Sequence, residues 1–515
     1  MSTHKSLAKS AGIIGLGISA SRILGFVRDI IIAAVFGTSV PLQAFVVAFR
    51  IPNMLRDLVG EGAANAAFVP VLSSYAVKKT KEEFWGLAQA LLNVMIVVLA
   101  AITALGMVFT PAIVALIAPG FVKDPEKFRI TVELTRWMFP YIFLVGLTAY
   151  TTGILNSLKL FGASAFSQPL WNIVFIAAAL WLCPVMQVPI MGLALGVLAG
   201  GVLQLLVQVP QLASRGLAFP RLDRFRHPGA AEVGRLLVPR VLGASIYQVN
   251  VFVNTILASL SSIVGEGAIA AIYYSNRLWM LPLAIFGTAF SQAMLPTMSE
   301  HAAKEDIEKF KQTLSFSLRS VFFITVPSSV GLIVLARPIV RALFERGSFD
   351  SYSTQITANA LLFYSIGLFA YAGVKILVSA FYSLKDTKTP VKAAAAALVI
   401  NIILNVALMF PLKVGGLALA TSLASIANFF MLFSMLGKKI GYLGAGPVID
   451  SFMRVLAASA AMAAVLLLLD ANMMMRPVAK VAVMVTAGIA VFLAACVVLK
   501  VEEFKGAVKW ISRRR

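Results

Sequence analysis

The chain has 515 residues, of which 60% are hydrophobic and 13% are charged. Soluble domains carry about 25% charged residues, so this composition predicts an integral membrane protein with many spans and argues against a soluble domain. The net charge is +22, from 44 Lys and Arg against 22 Asp and Glu. Most basic residues lie in short loops, as membrane-orientation signals do, so we expect no nucleic-acid partner.

Apolar runs of about 20 residues or more predict an all-α polytopic membrane protein with about fourteen transmembrane helices. The first run is too long for the apolar region of a signal peptide, so we expect it to be retained. The approximate limits of the runs are 9–36, 41–76, 84–117, 129–157, 164–183, 188–213, 235–260, 267–299, 310–336, 355–382, 390–411, 415–437, 449–469 and 477–500.

The distribution of Lys and Arg predicts the orientation of these spans. An even number of spans puts both termini on one side, and most basic loop residues fall on that side, including the arginine-rich connection 214–234. The positive-inside rule therefore places both termini in the cytoplasm of a bacterium, with the spans in its cytoplasmic (inner) membrane. Arg337, Arg341 and Arg346 fall on the opposite side and argue against this assignment.

Three short matches predict an internal duplication. Pro70 aligns with Pro296 at an offset of 226 residues, "SLK" at 157–159 recurs at 383–385, and "GLAL" at 192–195 recurs at 416–419. Copies of an even number of spans share one orientation, and such repeats commonly enclose a substrate site between them. We therefore predict two pseudo-symmetric six-helix lobes plus two C-terminal helices. The predicted boundaries are an N-lobe at 1–213, a basic connection at 214–234, a C-lobe at 235–437 and a C-terminal region at 438–515.

Five arginines lie inside the apolar runs. A cation near the bilayer centre costs several kcal/mol, which makes each of them a candidate functional residue. Arginine offers a planar fork that suits phosphate oxygens, so the set predicts a cationic cavity for a diphosphate or another polyanion. The five are Arg22, Arg28, Arg50, Arg56 and Arg277.

Several polar residues accompany the arginines. Helical spacing puts Arg22 and Asp29 on one face of span 1, with Ser21 and Arg28 on the neighbouring face. Asp29 is predicted to balance part of the cavity charge; a structural ion pair between Asp29 and Arg22 or Arg28 is the alternative. Further candidates for the cavity or its gate are Ser21, Glu61, Asn276 and Lys375.

A second polar group lies in spans 11 and 12. Asn401 and Asn405 are four residues apart and face one way, and Thr421 on the next span can join them. Their oxygens suit a small cation. Interhelical hydrogen bonds are the alternative interpretation.

The sequence contains no catalytic set and no phosphate-binding Walker loop, so we expect a transporter rather than an enzyme, with no cofactor. His4, His227 and His301 lie in tail or loop sequence, and Cys183 and Cys496 have no metal-ligand spacing. Alternating access through the cationic cavity needs no bond chemistry. Coupling to a monovalent cation or to the membrane potential is compatible with this scheme.

The motifs around these residues resemble those of the MurJ (MviN) family of lipid II flippases, which belongs to the multidrug/oligosaccharidyl-lipid/polysaccharide exporter superfamily. The motifs are "SRILGFVRD", "AFVVAFRIPNMLRDLVGEGAANAAFVPVL", "YYSNRL" and "FYSLKDTKTPVK". The resemblance implies transfer of an undecaprenyl-diphosphate-linked peptidoglycan precursor from the inner to the outer leaflet. It also implies that Arg22, Arg28, Arg56 and Arg277 are the cavity arginines, that gating is by rocking of the lobes, and that spans 13 and 14 hold the polyprenyl tail.

The chain departs from the family pattern at two positions. Gln43 stands where relatives commonly have Asp, and Met280 stands where many have Glu or Gln. Two other functions remain open: a flippase for another polyprenyl-diphosphate-linked glycan, and a non-transporting membrane scaffold for cell-wall synthesis. A cationic drug exporter is disfavoured because the predicted cavity has the wrong charge. The expected partners are lipid II or a related glycolipid, membrane lipids and cell-wall synthesis enzymes.

Overall fold

The computed structural model of the chain describes residues 3–56, 64–217 and 225–506, and within them all side chains except those of 3–11, 55, 64–66 and 238–247. The described residues form helices and no strand. They divide into two compact units, unit 1 (Met1–Ser259) and unit 2 (Leu260–Arg515). This confirms an all-α fold; the predicted domain boundaries stay a prediction.

Unit 1 contains ten α-helices in its described part. They are α1 (Thr3–Phe36), α2 (Val40–Leu55), α3 (Ala64–Lys78), α4 (Lys81–Val108), α5 (Thr110–Ile117), α6 (Pro125–Met138), α7 (Pro140–Ser157), α8 (Phe161–Ala177), α9 (Pro189–Ala213) and α10 (Pro228–Ala258). Three short pieces of tighter or wider helix complete the unit, at Pro119–Lys123, Ala178–Leu182 and Cys183–Val185.

Unit 2 contains eleven α-helices in its described part. They are α11 (Ser261–Val264), α12 (Ala268–Pro282), α13 (Thr288–Ala303), α14 (Ile307–Val334), α15 (Ala336–Phe344), α16 (Ser351–Ile366), α17 (Leu368–Ser383), α18 (Lys388–Leu412), α19 (Val414–Ile440), α20 (Ala445–Asn472) and α21 (Pro477–Val498). A π-helical turn at Leu283–Gly287 joins α12 to α13.

Local sequence signals begin these helices at the same places in both units. The side chain of Asp124 caps α6 by accepting from the N–H of Lys127 (3.1 Å), and Asp350, 226 residues later, caps α16 through Ser353 (2.8 Å). Thr80 caps α4 through Glu83, and Asp306, again at an offset of 226, caps α14. Such side chains satisfy backbone N–H groups that the first helical turn leaves without partners.

Helix ends also repeat. Lys159 and Lys385 follow α7 and α17 with left-handed φ angles of 61° and 57°. The hydroxyls of Ser157 and Ser383 each donate to the carbonyl three residues earlier, at 2.7 Å in both cases. The matches at helix starts and ends fit the sequence repeat and show the same turn built twice.

The predicted number of spans is not confirmed. Ten helical stretches are long and apolar enough to cross a membrane, and the bent pair α16–α17, with 44° between its halves, makes eleven. The predicted runs on α1, on α2–α3 and on α10 are missing from this count of described residues. α1 carries Arg22, Arg28 and Asp29, while α2 and the described side chains of α10 are too short.

Aromatic and aliphatic side chains fill the core of unit 1. Phe68, Leu87 and Tyr150 are among the buried residues that join α3, α4 and α7. The Tyr150 hydroxyl donates to the Ala88 carbonyl at 2.7 Å, so this buried polar group is satisfied. Separately, α1 packs along α8, and this contact builds the site described next.

Candidate functional site

Arg28 on α1 is the centre of the site in unit 1. The residue is 8% exposed, and Asp29 is 2% exposed. The Nε and Nη2 groups of Arg28 donate to Asp29 Oδ1 at 3.0 and 2.8 Å. A buried charge is tolerated when it is paired and hydrogen-bonded, and Asp29 supplies that pairing.

Asn172 on α8 holds the other side of the guanidinium. Its Oδ1 accepts from Arg28 Nη1 at 3.0 Å, and its Nδ2 donates to the carbonyl oxygen of Ser21 at 3.1 Å. One amide therefore ties Arg28 to the preceding turns of its own helix. Gly25 leaves room for this contact, because a Cβ there would lie 3.8 Å from the Asn172 amide.

Two aromatic rings of α8 lie against Arg28. The guanidinium carbon is 5.3 Å from the ring centre of Trp171 and 5.5 Å from that of Phe175. Cation–π contacts of this length favour the charged form in a desolvated setting. The guanidinium has five N–H groups, of which the contacts to Asp29 and Asn172 use three. The other two are available for the oxygens of an anionic ligand.

The remaining candidates of α1 lie near this centre. Ser21 accepts from Asn172 through its carbonyl and, at 3.4 Å, through its hydroxyl. Arg22 is exposed and makes no hydrogen bond or ion pair with the described part of the chain. Of the two ion pairs considered for Asp29, the one with Arg28 is therefore present.

The candidates of α2 lie at its C-terminal half. Arg50 and Arg56 are both half-buried, and the backbone N–H of Arg56 closes the helix by donating to Pro52 and Asn53. Glu61, predicted to line the cavity, lies outside the described residues.

In unit 2, α12 carries Arg277. This arginine is exposed, and its guanidinium carbon lies 5.0 Å from the ring centre of Tyr273, one helical turn away. Asn276 is half-buried, and its Oδ1 accepts from Trp279 Nε1 at 2.7 Å. Met280, one of the departures from the family pattern, is 41% exposed.

Lys375 and the polar group of α18 and α19 form separate contacts in unit 2. Lys375 Nζ donates to Thr288 Oγ1 at 2.7 Å. Asn405 Nδ2 donates to Asn401 Oδ1 at 2.8 Å, and Asn401 Nδ2 reaches Thr421 Oγ1 at 3.4 Å. These contacts include the interhelical hydrogen bonding considered as the alternative, and the cation site stays a prediction.

Gln43, the other departure, has a basic neighbour. It is 2% exposed, its Nε2 donates to the Thr38 carbonyl at 3.2 Å, and its Oε1 accepts from Lys127 Nζ at 3.5 Å. Lys127 is also 2% exposed and lies 4.5 Å from the ring centre of Phe121. A neutral amide thus occupies the place beside a buried lysine where relatives commonly have a carboxylate.

Sequence reasoning missed Asn172, Trp171 and Phe175. The signal was present, because an asparagine beside a tryptophan interrupts the apolar run of span 5. Nothing in the sequence pairs them with Arg28, which lies 144 residues away from Asn172. Among the described residues, no group of three or more His, Cys, Asp or Glu could hold a metal ion.

Comparisons with known proteins agree on one family. A family model described as "Lipid II flippase MurJ" matches residues 32–487. The lipid II flippase MurJ of Burkholderia cenocepacia is 36% identical over 423 residues, which cover 81% of each chain. The probable lipid II flippase MurJ of Haemophilus influenzae is 35% identical over 462 residues, covering 86% of this chain and 89% of that one.

Solved structures give the same result. A structure described as "Lipid II flippase MurJ, inward closed conformation" matches with a TM-score of 0.79 and 27% identity, covering 94% of this chain and 98% of that one. An inward-facing multidrug resistance MATE transporter of the MOP superfamily matches with a TM-score of 0.67 and 14% identity, covering 83% and 96%. The second likeness shows a shared fold.

Proposed function

Because this chain belongs to the lipid II flippase MurJ family, we propose that Arg28, as Asp29 and Asn172 hold it, binds the diphosphate of lipid II during transfer. The chain is a multi-pass membrane transporter that flips lipid II, and it is not an enzyme. Flipping breaks no bond, so the residues must bind and release the head group and need not react with it.

The observation that carries this proposal is the fixed geometry of Arg28. Its guanidinium is oriented before any ligand arrives, by one carboxylate oxygen, one amide oxygen and two aromatic rings. A guanidinium held in place loses less side-chain entropy on binding. Charge-assisted hydrogen bonds to phosphate oxygens are about twice as strong as neutral ones.

We assign supporting roles to the other arginines. Arg22, Arg50, Arg56 and Arg277 would add positive charge along the path of the diphosphate, with Arg22 and Arg277 exposed and the α2 arginines half-buried. Ser21, Asn276, Lys375 and Glu61 remain proposed cavity or gate residues.

Transfer by alternating access requires two conformations that open to opposite faces of the membrane. Binding of the head group must differ little between them, because a ligand that strongly favours one state would trap the protein there. We propose that a monovalent cation, with Asn401, Asn405 and Thr421 as candidate ligands, or the membrane potential drives the return step. The proposed location is the bacterial inner membrane with both termini cytoplasmic. Contacts with cell-wall synthesis enzymes stay a prediction.

Competition binding with the purified full chain tests the proposal. Labelled lipid II is bound and then displaced by unlabelled lipid II or by polyprenyl-diphosphate lipids that carry other glycans. We expect lipid II to compete best. Arg28→Ala should weaken binding by on the order of tenfold or more, the factor for a lost charge-assisted hydrogen bond. Arg28→Lys should be intermediate, because it keeps the charge and loses the fork.

Two results would count against this assignment. Equal displacement by a lipid with another glycan would favour the broader flippase function. Unchanged lipid II binding by folded Arg28→Ala would remove Arg28 from the site. If the arginines were structural, as in a scaffold, their removal would lower thermal stability without changing binding.

A further inference from the structure

A charged stripe runs along the exposed face of α6 in unit 1. Arg129, Glu133, Arg136 and Trp137 are all exposed, while the opposite face of the helix is buried. Beside the stripe lies a groove of about 520 Å³, lined also by Phe128, Val132 and Pro111 of α5. Charged and apolar side chains therefore meet in one open groove that the flipping mechanism does not use.

The length of the helix places this groove at the edge of the membrane. α6 and α7 form one helical stretch of 33 residues, Pro125–Ser157, in which Phe139 keeps helical backbone angles. At 1.5 Å per residue the stretch is about 50 Å long, against about 30 Å for the hydrocarbon core of a bilayer. The charged half is α6 and the apolar half is α7.

Trp137 marks the boundary between these halves. It is the penultimate residue of α6 and is 49% exposed. Tryptophan is enriched at the level of lipid head groups, where one end of its ring is wet and the other apolar. The groove beside Trp137 therefore lies at head-group depth.

The charges in the groove leave one cation available. Arg129 Nη1 lies 3.9 Å from Glu133 Oε2, so these two side chains largely balance each other. Arg136 makes no hydrogen bond or ion pair with any residue in the described part of the chain. The groove carries a net charge of about +1, and Arg136 supplies it.

The internal repeat shows that the fold does not require this arginine. α16 has the same capping aspartate 226 residues later, Asp350 in place of Asp124. At the same offset, Leu362 stands at the position of Arg136, and Phe363 at that of Trp137. An equivalent helix thus forms with apolar side chains at both places.

From these observations we propose that the α5–α6 groove binds an anionic glycerophospholipid, with its phosphate on Arg136. The acyl chain lies along Phe128, Val132 and Trp137, and the phosphate accepts hydrogen bonds from the guanidinium. This site is separate from the Arg28 site, and its occupant is a resident membrane lipid rather than the transported one.

Lipid-dependent thermal stability of the purified full chain in detergent tests this proposal. The probes are phosphatidylglycerol, phosphatidylcholine and inorganic phosphate, each added to wild type, Arg136→Gln and Arg136→Lys. Arg337→Gln is the matched control, because Arg337 is an exposed arginine of α15 with no partner among the described residues. Phosphatidylglycerol should stabilise wild type and Arg337→Gln more than phosphatidylcholine does.

Arg136→Gln should lower the apparent affinity for phosphatidylglycerol about fivefold, the contribution of one basic residue at an anionic surface. Arg136→Lys should retain most of it. Equal stabilisation of Arg136→Gln and wild type by phosphatidylglycerol would overturn the site. Equal stabilisation by inorganic phosphate would show a free-anion site and overturn the lipid. Lipid II flipping by Arg136→Gln should equal that of wild type, which separates this proposal from the function of Arg28.

Discussion

At the scale of single residues, the arginines could be predicted and their partners could not. A charge inside an apolar run is visible in the sequence, so Arg28 and Asp29 were found. An asparagine in a span is more often an interhelical hydrogen bond, and only the packing of α1 on α8 shows that Asn172 meets Arg28. Glu61 lies outside the described residues, so its role stays a prediction.

Asn172→Leu should uncouple Arg28 from α8. The Nη1 group would lose its acceptor, and leaving a buried donor without a partner costs about 1–3 kcal/mol of unfolding free energy. We expect the lipid II flipping rate per folded molecule to fall by on the order of tenfold, because the guanidinium is no longer oriented. Thermal unfolding and reconstituted flipping measure the two effects.

Asn93→Leu is the matched control for this variant. Asn93 is fully buried on α4, and its Oδ1 accepts from Gln89 at 3.0 Å. It should lower stability and leave the flipping rate per folded molecule unchanged. Wild-type flipping by folded Asn172→Leu would show that Asn172 does not position Arg28.

At the scale of helices, the duplicated turns after α7 and α17 allow a paired prediction. A non-glycine residue in the left-handed region costs about 1–2 kcal/mol, and both Lys159 and Lys385 are there. Glycine removes this cost but adds about 0.4–1 kcal/mol of unfolded-state entropy. Lys159→Gly and Lys385→Gly should therefore each raise the unfolding free energy by about 0.5 kcal/mol. Opposite signs in chemical unfolding would mean that the turns are not equivalent.

The start of α18 makes a pH-dependent contribution. Asp386 accepts from Lys439 Nζ at 2.6 Å and from the N–H of Thr389 at 3.0 Å. These bonds, that from Lys439 first, hold the pKa of the Asp386 carboxyl well below its usual range. A depressed pKa stabilises the folded state above the unfolded value of about 3.9, and the stabilisation is lost as the pH falls toward the folded value.

Asp386→Asn should therefore flatten the acid limb of the stability profile. Thermal unfolding between about pH 6 and pH 3 should show a smaller loss of stability than in wild type. Lys439→Met should give an intermediate slope, because the contacts to Thr389 remain. An acid limb identical to that of wild type in Asp386→Asn would assign the dependence to other carboxylates.

At the scale of the whole molecule, composition was sufficient to predict a polytopic α-helical membrane protein. Each predicted run lies on one helix or on consecutive helices, apart from the undescribed residues 57–63. Fourteen spans were not confirmed, because a criterion of length and low charge rejects α1, whose charges are those assigned to function. The property that makes α1 a candidate site also hides it from a hydropathy count.

The central claim is that lipid II crosses the membrane through contacts with Arg28. We would express wild type, Arg28→Ala and Arg337→Gln in cells depleted of their own lipid II flippase, at equal abundance. A probe confined to the outer face would then measure accessible lipid II. We expect restoration by wild type and Arg337→Gln and little by folded Arg28→Ala, whose loss of charge-assisted binding lowers transfer by on the order of tenfold or more. Equal restoration by Arg28→Ala and wild type would contradict the account.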